Sequence, residues 1–407
     1  MFPDAYKRVL GAHGVKQPLA GTLIGRLSIA AEPLSMVLLV KGATGSFAAA
    51  GLVIAAYSIA AAVSLPVQGR VMDRVGQPPV IAAAALVNAA AFLGLIGGAE
   101  AGAPIVALAA LATVAGLGTL PTGNAMRTLW SGLVPDQELR QAAFALDAVA
   151  IDIAFIFGPL IAAGVIAVWT PAASLGVCVA LALTGSAIFA TSPASRAWRG
   201  HEGTDGSRVT PVRSRSILVL MGAALGVGLA IGAIELAITA FASHHGAAEL
   251  GGALIATQAA GSAAGGLWYG ARKWSRGAGE RMPLVALAFA ISLGPLVAVP
   301  SLPLAFPLMA ISGLALAPTI SLIYLLLDSH APAGTGAEAT GWILTAIVGG
   351  ASLGNAVAGV AVAEVSPHLG LAVGFAGGLV TLGATWLGRR HLRAPLRGTS
   401  VRLLEST

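Results

Sequence analysis

Residues 69–77 read Gly69-Arg70-Val71-Met72-Asp73-Arg74-Val75-Gly76-Gln77, a charged stretch bounded by two glycines. It lies between apolar runs at approximately 46–68 and 79–98. Each run is close to the about 20 residues that an α-helix needs to cross the hydrocarbon of a bilayer. A short charged connection between two such runs is a turn at a membrane face. Reading outward gives further runs at approximately 18–40, 104–128, 141–168 and 172–191, then a polar stretch at 192–216. Six more follow at approximately 217–241, 250–271, 283–300, 304–327, 338–363 and 369–388, making twelve. The first run holds Arg26 and Glu32 and lacks a cleavage site, so it reads as a retained span and not as a signal peptide.

Composition agrees with the run lengths. Of 407 residues, 57% are hydrophobic and 10% charged, against about 45–50% and about 25% in ordinary soluble domains. So few charges cannot cover a soluble surface of this size. The mean hydropathy is +0.85. The 53 glycines follow no collagen period and sit with alanine inside the apolar runs, as they do where membrane helices pack closely. The single cysteine, Cys178, excludes a disulfide framework, and the 7 histidines fall in no metal-ligand spacing. The chain reads as an all-α integral membrane protein with no metal and no cofactor.

Basic residues fix the expected orientation, because they stay on the cytoplasmic side. With the N-terminus inside, the inner segments hold every lysine and arginine except Arg26, which lies within a span, and Lys41. Both termini are therefore expected in the cytoplasm, in a cell (plasma or inner) membrane. The pI near 10.0 is then a topology signal that calls for no nucleic acid. It also suits contact with anionic lipid.

The runs form two blocks of six. The expected organisation is an N-terminal half at 1–191, a linker at 192–216, a C-terminal half at 217–388 and a basic tail at 389–407. The linker carries Arg196, Arg199, His201, Glu202, Asp205, Arg208, Arg213 and Arg215. An internal duplication is suggested by one shared offset: Gly69 and Gly266 lie 197 residues apart, as do Pro135 and Pro332.

The pattern G-x-x-x-D-R-x-G between the second and third of twelve helices resembles the loop signature of the major facilitator superfamily, and the resemblance covers essentially the whole chain. It departs from the family at Gln77, where a basic residue is usual. The second-half copy, Gly266-Leu267-Trp268-Tyr269-Gly270-Ala271-Arg272, has no aspartate. The resemblance implies two pseudo-symmetric six-helix halves and a cytoplasmic gate formed by Gly69, Asp73, Arg74, Gly76 and Arg140. In that gate Asp73 meets the N-terminus of span eleven, near Thr335 to Glu338. The dipole there favours negative charge, with Arg140, or else Arg127, as counter-charge. Phe157-Gly158-Pro159 in span five resembles the glycine-proline motif of drug–proton antiporters. The match is partial, since Ala154, Ala162 and Ala163 stand where glycines are expected.

Ionisable residues inside spans are costly in hydrocarbon and mark partners or wet cavities. They are Arg26 and Glu32 in span one, Asp147 and Asp152 in span five, and Glu235 in span seven. At about 1.5 Å per residue from the run ends, Arg26 lies roughly 12 Å deep, Asp147 roughly 9 Å and Asp152 roughly 17 Å. The family arrangement makes spans one and five neighbours, so Arg26 pairs with either aspartate. The two aspartates point about 140° apart, which leaves one free to face a cavity. Glu32 has no evident partner on its own helix. Asp152, Glu32, Asp147 and Glu235, in that order, are the proton-coupling candidates.

Tyr57, Asn88, Gln258, Tyr324, Trp342, Thr345 and Asn355 are the candidate solute contacts, in a cavity with few aromatics. Trp130 and Trp268 read as anchors at the membrane interface. No nucleotide loop, hydrolase elbow or dinucleotide fingerprint is present, so the chain reads as a non-enzyme whose transport is driven by an ion gradient or runs downhill. The expectation is a monomeric secondary transporter of a small organic solute, working by proton-coupled export. Proton-coupled or facilitated import of sugars or other small metabolites is the alternative.

Overall fold

The computed structural model describes residues 4–134, 136–199, 210–247, 250–332 and 334–393. Pro135, the linker residues His201, Glu202, Asp205 and Arg208, and the tail beyond Arg393 lie outside the described residues. The chain is helical. Spans one to six are Lys16–Thr44, Phe47–Val75, Gln77–Glu100, the pair Ile105–Leu117 and Thr122–Leu133, Gln137–Val168, and Pro171–Ala190. Spans seven to twelve are Arg215–His244, Leu250–Ala271, Ala278–Leu293 with its 3-10 turn Gly294–Ala298, the pair Leu302–Leu314 and Leu316–His330, Gly336–Glu364, and Pro367–Leu387. A surface helix, Asp4–Gly11, precedes them.

Among the described residues, eleven helices are long and apolar enough to cross a membrane. Span eight is the exception. Its 22 residues carry no charge, but glycine and alanine dominate it and hold its hydropathy down. Most helices outrun the apolar segments that announce them, since Lys16, Arg70 and Arg215 all lie inside helices. The hydrogen-bond ladder continues past the point where hydropathy ends.

Spans four and ten are each broken in the middle, and proline is the cause. Pro121 has no N–H for the Leu117 carbonyl, and Pro318 has none for that of Leu314. The freed Leu117 carbonyl accepts from Ser64 at 2.5 Å and from Gln68 at 2.8 Å, both on span two. Pro121 and Pro318 are 197 residues apart, as are Gly116 and Gly313, which bring these spans against spans two and eight. The offset seen at Gly69 and Gly266 therefore recurs in the breaks.

Close approach of backbones holds each half together. Span one meets span six where Gly21 faces Gly185, and span seven meets span twelve where Gly226 faces Gly377. A Cβ on Gly185 would lie 2.7 Å from the Gly21 carbonyl, whereas one on Gly176 of the same helix meets nothing. Gly185→Leu is therefore expected to destabilise the protein by about 1–3 kcal/mol, read as a lowered midpoint of thermal unfolding in detergent. Gly176→Leu should leave that midpoint in place. Equal effects of the two substitutions would refute the close-approach account.

Candidate functional site

The halves meet along two seams, spans two with eleven and spans five with eight. Both lie toward the face that carries the surface helix and most of the basic residues, called the basic face below. Span eleven begins at Gly336 with no side-chain cap from its own N-cap residue, Thr335. The cap comes from the other half: Asp73 accepts from the amides of Ala337 at 3.1 Å and Glu338 at 2.9 Å. Gly69 makes this possible, because a Cβ there would collide with the Ala337 carbonyl. Gly76, at φ 91°, ends span two in the left-handed region and turns the chain into span three. Arg70 adds two bonds to Glu338, at 3.0 and 2.6 Å. Farther along, the Thr345 hydroxyl donates to the Ala62 carbonyl at 2.7 Å.

The counter-charge to Asp73 is not where the sequence suggested. Arg140 pairs with Asp328 at the end of span ten, at 2.9 Å, and Arg127 is buried elsewhere. Asp73 is satisfied by amides and the helix terminus, with Arg70 one turn away, so no dedicated arginine is required. Arg74 is exposed. Gln77 is buried and donates to the Ala125 carbonyl and the Thr128 hydroxyl, joining span three to span four.

At the second seam Gly270 stands 197 residues after Asp73. Gly266 and Gly270 let span eight lie against Ala145 and Ala142 of span five. Gln141 donates to the carbonyls of Tyr269 and Arg272, and Arg281 donates to Gln141. Tyr6 of the surface helix is wholly buried and donates to the Leu267 carbonyl at 2.6 Å. Burial pushes the Tyr6 hydroxyl above the ordinary tyrosine range.

Inside the N-terminal half, Asp147 is held by two arginines. Arg26 reaches one carboxylate oxygen at 2.7 Å and Arg127 the other at 2.9 Å. Asp147 is therefore the partner of Arg26. Arg26 and Asp147 each stand ten residues into their helices, about 15 Å from the basic face. The Arg127 guanidinium also lies over the Tyr324 ring, 3.8 Å from its centroid, which ties the cluster to span ten.

The other candidate carboxylates within spans, Glu32, Asp152 and Glu235, pair with no arginine among the described residues. Glu32 is wholly buried and accepts from Ser28 at 3.0 Å and Tyr57 at 2.5 Å. Ser28, one turn back, is a partner on the same helix that an inventory of charges overlooks. The Tyr57 hydroxyl lies 3.2 Å from that of Thr119, in the break of span four. Asp152 faces Ser262 of span eight, across the seam, and its Oδ2 is buried with no hydrogen-bond partner. Glu235 is half-buried in the outer part of span seven, and no side chain among the described residues bonds its carboxylate.

Several candidates are committed to packing. Asn88 donates to the Ala115 carbonyl beside the break in span four, and Gln258 donates to Ser312 of span ten. Trp342 reaches Glu338 beside the Asp73 cap, at 3.3 Å, and Asn355 is exposed on span eleven. Gly158, next to Pro159, lies against Leu27 and Ala30 of span one. Trp130 is buried in the apolar cluster that takes in Tyr6 and Val9, so it is no interfacial anchor, whereas Trp268 is exposed.

Arg281 and Tyr6 are the site residues that a sequence reading passes over, and Arg127, Arg70 and Glu338 appear in it without the partners they have here. Arg127 counts there with the basic residues of the inner segments because it stands at the very end of its apolar run, yet the helix continues to Leu133 and carries it inside.

Three comparisons bear on this arrangement. The sequence profile of the Major Facilitator Superfamily matches residues 19–355. Among curated proteins nothing matches. Among solved structures, the human organic anion transporter MFSD10 (TETRAN) is similar at 17% identity, with 93% of this chain and 98% of that chain covered and a TM-score of 0.66. A bacterial homologue of the iron transporter ferroportin, in its outward-facing state, is similar at 15% identity, with 93% and 98% covered and a TM-score of 0.68. At these identities the likeness is one of fold.

Two outcomes are expected from the geometry. Asp147→Asn leaves two buried guanidinium groups without their anion and should cost about 3–5 kcal/mol. Arg26→Gln leaves Asp147 paired with Arg127 and should cost clearly less, both read by thermal unfolding. The reverse ranking would refute the shared-carboxylate account. Asp73→Ala removes an N-cap worth about 0.5–2 kcal/mol. It should speed maleimide labelling of a cysteine placed at Ala145 in a Cys178→Ser background several-fold. Unchanged labelling would reduce Asp73 to a surface charge.

Proposed function

The chain belongs to the Major Facilitator Superfamily and transports small solutes across a membrane; from that premise we propose that it works by alternating access as a proton-coupled exporter. The basic face is taken as cytoplasmic, with both termini there and the protein acting as a monomer. The bonds between halves gather on that side, so breaking the Asp73 cap and the span-eight seam is the motion that admits solute from the cytoplasm.

The observation that carries the coupling is the contrast among the membrane carboxylates. Asp147 is fixed by two arginines and has no freedom to exchange a proton usefully. Asp152 lies about 22 Å along span five, on the seam itself, beside Ser262 of the opposite half and with one buried oxygen unpartnered. Opening the seam removes Ser262 and brings water to the carboxylate. A group whose surroundings change that way gains a proton in one state and releases it in the other. Glu32, closed in among Ser28, Tyr57 and Thr119, is the second candidate.

The cluster of Arg26, Arg127 and Asp147 carries one more positive charge than its carboxylate balances. It reaches span ten through Tyr324 and so borders the space between the halves. This favours a neutral or anionic organic solute over a cation. Gly158-Pro159, packed on span one, supports export by its resemblance to the antiporter motif.

The test is purified protein in liposomes, screened for solute-dependent proton flux with the gradient in each direction. Asp152→Asn should abolish gradient-driven transport while solute exchange across the membrane continues. Transport that keeps its pH dependence in Asp152→Asn would remove Asp152 from the coupling. Proton flux in the same direction as the solute would replace export with import.

A further inference from the structure

The connection between spans eight and nine gathers cations around a cavity of about 340 Å³ lined by Arg272, Lys273, Trp274, Arg276, Arg281 and Leu284, among others. Arg281 is the informative member. It is only 7% exposed, and one terminal nitrogen is used twice, donating to Gln141 at 2.8 Å and to the Tyr269 hydroxyl at 2.7 Å. Its Nε has no partner, although it is buried. None of Arg272, Arg276 and Arg281 makes an ion pair with a carboxylate among the described residues. A guanidinium this deep without an anion is expensive, and every other deeply buried arginine, Arg26 and Arg127, has one.

The aromatic residues orient these cations. The Arg281 and Arg272 guanidinium carbons each lie 5.3 Å from the centre of the Trp274 ring, and that of Arg272 also lies 5.4 Å from Trp268. Cation–π contact occupies the faces of the guanidinium planes and leaves their N–H edges for an oxyanion. Several planar forks converging on one cavity suit a phosphate group, whose oxygens accept from more than one arginine at once. The rim is apolar on its outer side, where Leu284 is 43% and Trp268 58% exposed. The cavity therefore opens toward lipid as well as toward water.

We propose that this cavity is a binding site for a phosphate-bearing anion, held by Arg281 Nε together with Arg272 and Arg276. The headgroup of an anionic phospholipid suits the apolar rim, and a soluble phosphate shares the same donors. Because the guanidinium that takes the anion also holds Gln141 of span five, occupancy fastens the seam between spans five and eight. The site is separate from the candidate solute contacts and does not depend on which solute is carried.

The experiment measures binding to the purified full-length chain in a neutral detergent, by native mass spectrometry and by thermal unfolding. The probes are phosphatidylglycerol, phosphatidylcholine of the same chains, and inorganic phosphate. Phosphatidylglycerol should bind saturably and raise the unfolding midpoint, with phosphatidylcholine weaker. The double variant Arg272→Gln/Arg276→Gln alters two exposed side chains, so folding is retained. It should lose affinity about tenfold or more, the scale of charge-assisted hydrogen bonds. Arg281→Gln should lose at least as much. Displacement of the lipid by millimolar phosphate would assign the site to soluble anions; resistance to it would assign the site to lipid. The proposal fails if neither phosphatidylglycerol nor phosphate binds saturably, or if the double variant binds like the wild type. It fails equally if Arg389→Gln/Arg390→Gln, on the same face but outside the cavity, weakens binding as much.

Discussion

A helix that starts in or near a membrane with open amides needs acceptors, and span eleven has none of its own. Asp73, from the opposite half of the molecule, supplies both. Much else in the arrangement follows from that one requirement. Gly69 must lack a side chain for the two backbones to come within reach, and Gly341 faces Leu65 and Pro66 of span two for the same reason. Arg70 and Glu338 then find each other across the contact. A cap that crosses between halves is also reversible, because water can satisfy the same amides when the halves part. Hydrocarbon could not.

The same rule operates deeper in the membrane with charges in place of amides. Arg26, Arg127 and Asp147 form a unit in which each arginine takes its own carboxylate oxygen, and the Tyr324 ring covers the face of one guanidinium. Such a unit stiffens the N-terminal half and anchors span ten to it, but it is a poor place to move a proton. Glu32 is hydrogen-bonded by the hydroxyls of Ser28 and Tyr57, and Asp152 lies beside that of Ser262. A hydroxyl serves a carboxylate or a carboxylic acid equally well, since it can donate to one and accept from the other.

How much of this was legible in the sequence follows from what each signal measures. Run length is dictated by bilayer thickness, so the twelve spans and their division into halves could be read directly, even span eight, whose glycine and alanine content weakens its hydropathy. The breaks at Pro121 and Pro318 could not, because hydropathy does not register a ladder interrupted inside an apolar run. The position of Asp73 was legible from its spacing between two glycines. The choice between Asp147 and Asp152 for Arg26 was not, because it depends on the crossing of spans one and five. Arg127 and Arg281 were taken as topology charges. Both lie within a few residues of a run's end, where sequence places the boundary between water and lipid least sharply. Tyr6 gave no signal at all, being an aromatic residue in a short polar segment.

The two seams share a pseudo-symmetric origin but no longer share their chemistry. Position 73 is aspartate and its counterpart at 270 is glycine, while Glu338 corresponds by the same offset to Gln141. The seam of spans two and eleven is therefore held by an ionic cap, with Arg70 46% exposed and ready for resolvation. The seam of spans five and eight has no ion pair among the described residues: Gln141 bonds carbonyls and takes a bond from Arg281, glycines lie on alanines, and a tyrosine is inserted from outside the repeat. Parting the first exchanges charged groups between protein and water at modest net cost. Parting the second exposes apolar backbone-to-backbone surface and strands carbonyls at the end of span eight, so its cost scales mainly with area. With one seam that responds to charge and another that responds to burial, the closed state can be tuned at either without dismantling the other. The loss of the second aspartate is then a division of labour between the seams more than a decayed repeat.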